Sequence, residues 1–167
     1  MFEQVLGIPA HPLLLHAAVV FIPLLALGAI AYAVVPALRA RIRWEVALLA
    51  VVGAGSAVLT KLSGDAFFRR MHRLNQVSGS YQTKISQHQS LGTITMWVTI
   101  ALAVVTLLLV FLLAPARRDG AATTARLGAP RLLNVLLGVV AVGLSAASLY
   151  YVFRTGDLGA HIVWQGR

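Results

Sequence analysis

The chain has 167 residues, of which 59% are hydrophobic and 11% charged, whereas a soluble domain carries about 25% charged residues; this chain cannot cover itself with polar groups, and a soluble globular fold is excluded. Basic residues outnumber acidic ones 14 to 5, but they sit between long apolar runs rather than on a solvated stripe, which argues against nucleic acid and for anionic lipid headgroups as the partner. With no cysteine, disulfides and thiolate ligands are excluded, and any metal must be held by nitrogen and oxygen.

Crossing a hydrocarbon core of about 30 Å takes around 20 apolar residues in a helix. The first run that qualifies is Leu13–Val35, without a formal charge. Pro12 suits its first turn, where a missing N–H is harmless, Pro36 closes it, and Pro23 predicts a kink. Ala29-Ile30-Ala31 has the small-residue spacing of a cleavage site. The preceding segment lacks the Lys or Arg of a signal peptide, however, and the apolar run is too long, so the segment reads as a retained helix.

The second run is Trp44–Leu62, with Lys61 placed to snorkel from its end. Gly53, Gly55 and Ser56 predict a close-packed face there. Beyond it, Phe67, Phe68, Met71 and Leu74 recur at helical spacing among Arg69, Arg70 and Arg73. That pattern predicts a short basic amphipathic helix in the outer loop, lying in the interface or capping the bundle mouth. The third run is Gln89–Ala114, with Ser86 and Gln89 at capping-box spacing and Pro115 at its close. The fourth is Leu132–Phe153, where Gly138, Ser145 and Ala146 predict a second contact face. No internal repeat stands out, and the lack of charge within the runs argues against a proton relay through the bilayer centre. The expected fold is a single domain over residues 1–167: an all-α integral membrane protein, four transmembrane helices in an up-down bundle, with the short amphipathic helix outside it.

Seven basic residues fall on each side of such a bundle, but Arg39, Arg41, Arg43, Arg117, Arg118, Arg126 and Arg131 crowd into two short loops. The positive-inside effect acts through such loops, so they are placed in the cytoplasm and both termini outside it.

All five histidines then share the extracytoplasmic side. His11 and His88 stand near expected helix N-termini, where the helix dipole favours a neutral, ligand-competent imidazole. His16 lies about 7 Å further along the axis, at about 1.5 Å per residue, and should face the interior. His161 follows the fourth span and Asp65 ends the second, so four helices are expected to bring polar groups to one mouth. Four chemistries fit them: a hydrogen-bonded cap, a zinc, copper or iron site on His11, His16, His88, His161 and Asp65, a haem b on His16 and His88, or a metal-assisted hydrolase with Asp65 as base.

The run His11-Pro12-Leu13-Leu14-Leu15-His16 resembles the opening signature of the bacterial membrane proteins catalogued as domain of unknown function 2231. Gly64-Asp65, His88 and Gly159-Ala160-His161-Ile162 are similar to further motifs of that family, in order over nearly the whole chain. The chain departs from the pattern at Ala18, where the family has proline, and at Ala160, where it has glycine; His72 has no counterpart and is left out of the site. Relatives are fused to Rieske iron–sulfur modules, so the resemblance implies redox work in a bacterial membrane. The expected function is a small accessory protein of the bacterial cytoplasmic membrane, not an enzyme by itself, with a histidine site for haem or a transition metal and a redox or membrane-complex partner. A cofactor-free interaction subunit is the alternative.

Overall fold

The computed structural model describes residues 4–5, 7–75, 79–112 and 131–165. Two short strands, β1 (Gln4–Val5) and β2 (Ile8–Pro9), pair antiparallel around Gly7, whose φ of 82° suits a glycine turn. Four helices follow: α1 (Ala10–Val34), α2 (Arg39–Arg73), α3 (Gly79–Leu112) and α4 (Arg131–Gln165), with a 3-10 turn at Pro36–Leu38. Each packs closely on its two neighbours, α1 on α4 included, while α1 and α3 meet only sparsely across the diagonal. Among the described residues these four are long and apolar enough to cross a membrane, and the chain is a multi-pass membrane protein.

The packing is that of a bundle in lipid. Leu24, Leu48, Val104, Val139 and Phe153 face outward, whereas Ala26, Ala29, Ala50 and Ala141 are fully buried. Lipid gives helices no hydrophobic reason to associate, so small side chains that let backbones approach hold them together. At Gly53 a Cβ would sit 3.1 Å from Leu25 Cδ2 and 3.4 Å from the Phe21 carbonyl oxygen. Buried hydroxyls bond to their own helices: Thr99 Oγ1 donates to the Thr95 carbonyl at 2.7 Å and Ser145 Oγ to that of Ala141 at 2.7 Å. Two expected contact residues do not make contact. Gly55 has open space around it and Ala146 is exposed, both on the lipid side.

At one end, Tyr32, Val46, Leu109, Val110 and Ala141 close the core. Arg39 ties the helix ends there, its Nε donating to the Tyr32 carbonyl and its Nη2 to that of Ala33, both at 2.9 Å. Pro36 ends α1 as expected.

Toward the other end the helices outrun the expected spans. α2 passes Leu62 and continues to Arg73, so the expected outer-loop segment is helical but is the last part of α2, not a separate helix. Its apolar face, Phe68 and Met71, packs on Tyr81, Ile85, Leu158 and Ile162. That neighbouring partner, rather than the lipid interface, is what keeps it helical. α3 begins at Gly79, so Ser86 and Gln89 are mid-helix and form no capping box; the Ser86 carbonyl accepts a bond from Ser90 Oγ at 3.1 Å. Pro115, Arg117, Arg118 and Arg126 lie outside the described residues.

Candidate site: two histidines over an apolar cavity

His11 occupies the second position of α1 and reaches across to α2. Its Nδ1 lies 3.1 Å from the Thr60 carbonyl oxygen and 3.3 Å from Ser63 Oγ. A carbonyl can only accept, so the proton sits on Nδ1 and the lone pair of Nε2 is left for another partner. The ring lies on Gly64: a Cβ there would be 3.0 Å from Cε1 and 3.2 Å from Nδ1.

His88, on α3, repeats this arrangement against α4. Its ring lies on Gly159, where a Cβ would be 2.9 Å from Cε1, and the Thr155 carbonyl is the backbone acceptor beside it. Thr155 precedes Gly159 by four residues, as Thr60 precedes Gly64. Thus Thr60-Lys61-Leu62-Ser63-Gly64 and Thr155-Gly156-Asp157-Leu158-Gly159 build two similar cradles, each on the second helix of a hairpin. The difference is that Nδ1 of His88 is buried with no hydrogen-bond partner among the described residues.

The two rings meet edge to face, with centroids 6.4 Å apart and planes at 80°. Phe67 stacks beside His11 at 6.5 Å. Below them opens a cavity of about 270 Å³, walled largely by apolar side chains such as Leu15, Ile22, Ala57, Met96 and Val152. Asp65 stands in the same wall, close enough to His11 to act on it through its charge. It pairs with Lys61, one turn earlier, and accepts a bond from Gln89 Nε2 at 3.3 Å.

Three of the five expected site residues therefore come together: His11, His88 and Asp65. His16 does not join them; it is exposed, and its Nδ1 bonds to the Pro12 carbonyl at 2.6 Å. At 3.6 residues per turn, five residues rotate it by about 140° from His11, so the two cannot share a face. His161 also points away. Its Nδ1 bonds to the Asp157 carbonyl at 2.8 Å, and half of its side chain is exposed. Because α4 stays helical to Gln165, two residues turn His161 by about 200° from Gly159. Nor is His88 near a helix start, since α3 begins nine residues before it. Among the described residues no three His, Asp or Glu side chains form a metal-binding group.

Lys61, Gln89 and the two cradle glycines were not expected in the site. Lys61, expected to snorkel from the end of its span, pairs with Asp65 in the cavity wall, twelve residues before α2 ends. The Thr-x-x-x-Gly spacing at Thr60–Gly64 and Thr155–Gly159, which Thr124–Gly128 shares, was an unspecific sequence signal for the cradles.

The family model described as "Predicted membrane protein (DUF2231)" matches residues 7–167, and the chain belongs to that family. No curated protein and no solved structure gives a significant match.

Proposed function

We propose that this DUF2231 protein is a redox accessory subunit of the bacterial cytoplasmic membrane, with both termini outside the cytoplasm, that holds a haem b between His11 and His88. The observation that carries the reading is the convergence of these imidazoles, from two helices, over an apolar cavity. His11 Nε2, left over by the Nδ1 bond to Thr60, and His88 Nδ1, buried with no hydrogen-bond partner among the described residues, would be the nitrogens offered to such a group. Haem would bring most of its own ligands, so one imidazole from α1 and one from α3 would suffice to hold it. A bare zinc, copper or iron ion fits less well, since it needs a third protein ligand and Asp65 is already paired with Lys61.

In this reading Gly64 and Gly159 admit the rings, the Thr60 carbonyl fixes the His11 tautomer, and Asp65 acts on His11 from beside it. Bound haem would supply one-electron transfer, and the apolar wall would set its potential by excluding water. The alternative, a cofactor-free interaction subunit, draws on His11 Nδ1 being already satisfied by Thr60 and Ser63.

The test is the visible spectrum and metal content of the protein purified in detergent from cells supplied with haem precursor and metals. A Soret band lost in His11→Ala and in His88→Ala but kept in His16→Ala supports haem. Stoichiometric zinc, copper or iron without a Soret band supports the bare ion, and neither signal leaves the interaction subunit.

A further inference from the structure

Two formal charges stand in the cavity wall rather than at a helix end. Lys61 and Asp65 expose only 18% and 29% of their side chains. Ionisable groups at such positions in a membrane bundle are costly and mark ligand or ion sites. The stem of Lys61 runs toward α3, its Cδ 3.9 Å from where a Gly92 Cβ would be. One of its three donors goes to Asp65, whose other oxygen is held by Gln89. Asp65 and Gln89 thus fix the ammonium in the wall with donors to spare.

Basic residues outnumber acidic ones at this end among the described residues. Arg69, Arg70, Arg73, Lys84 and Arg154 lie at this end of the bundle, and Asp157 is the one further acid there among the described residues. An apolar chamber with a fixed ammonium in its wall, at an end of the bundle rich in basic residues, suits a ligand with an apolar body and an anionic end.

We infer that the cavity takes an amphiphile ending in a carboxylate, with its apolar body among Ile22, Met96 and Val152 and its carboxylate on the Lys61 ammonium. The inference rests on the same reading of the cavity as a ligand site, and it names the ligand's chemical class. Two sources share that chemistry: haem, through its propionates, and a long-chain fatty acid from the lipid phase.

Binding of haem and of oleic acid to the full chain in detergent is compared with binding of their methyl esters, by equilibrium gel filtration of radiolabelled ligand. The acid of at least one pair binds roughly tenfold tighter than its ester, the scale of one hydrogen bond to a charged group. The double variant Lys61→Met/Asp65→Asn, which keeps the cavity neutral, abolishes that preference. Acid-selective oleate binding without haem binding keeps this inference and removes the haem proposal. Haem bound equally well as free acid and as dimethyl ester, with oleate showing no acid preference either, keeps the haem proposal and overturns this inference. No acid preference in either pair, or a preference that survives in the double variant, also overturns it.

Discussion

The two ends of the bundle use small residues for opposite purposes. At the closed end and through the middle, alanines and Gly53 let whole helices approach until Leu25, Leu102 and Val110 are sealed from every side. At the open end Gly64 and Gly159 let in not a helix but an imidazole each, and below the rings the helices part around a cavity. Close packing in lipid is a general solution to helix association, whereas two glycines each seating a histidine serve a particular site. Close packing therefore belongs to the closed end, and the candidate site to the open end.

Truncation tests that division most severely. Leu102→Ala at the closed core is expected to destabilise the protein by about 2–5 kcal/mol, because the cavity it leaves cannot refill, measured by unfolding in mixed detergent. Met96→Ala, which enlarges a cavity already present, should lower stability far less. Equal losses at the two sites would erase the distinction between the ends.

The ion pair comes next. Lys61→Met alone leaves Asp65 without its partner and should destabilise by about 1.5–3 kcal/mol. Adding Asp65→Asn should recover most of that loss in a double-mutant cycle. If the losses simply add, the two groups do not depend on each other.

Filling a cradle is a smaller perturbation with a local readout. Gly159→Val must displace the His88 ring and should lower stability by about 1–3 kcal/mol, while Gly143→Val, facing open space, should leave it unchanged. Chemical shifts of the His88 ring should move in the first variant and stay put in the second. The smallest effect belongs to His16→Ala and His161→Ala, whose exposed rings bond only within their own helices; each should change stability by less than about 0.5 kcal/mol and leave ligand binding intact.

Much of this architecture is legible in the sequence. Four apolar runs of sufficient length leave one class of fold, because every backbone polar group in lipid must be satisfied within its own helix. The ends of the helices are not legible from hydropathy. A lipid-length criterion stops near Leu62 and starts again near Gln89, but α2 and α3 continue wherever Phe68 and Met71 find Tyr81 and Ile85 to pack against. The site follows the same division. His11, His88 and Asp65 could be named from their types and places along the chain, but reading one-sidedness as convergence ignored helical phase, which turns His16 and His161 away. The pairing of Lys61 with Asp65 is not legible where the span is expected to end at Leu62, because the continued helix is what sets the two one turn apart. The cradles at Gly64 and Gly159 are tertiary contacts, foreshadowed by the family motifs at those glycines and by a Thr-x-x-x-Gly spacing that Thr124–Gly128 shares.

The convergence of His11 and His88 is tested most directly without any cofactor, by solid-state magnetic resonance of the full chain in bilayers with isotope-labelled histidine. A through-space cross-peak between the rings of His11 and His88, lost in either single alanine variant and unaffected by His16→Ala, is the predicted result. A cross-peak pairing His88 with His16 or His161, or none between any two histidine rings, would contradict the account.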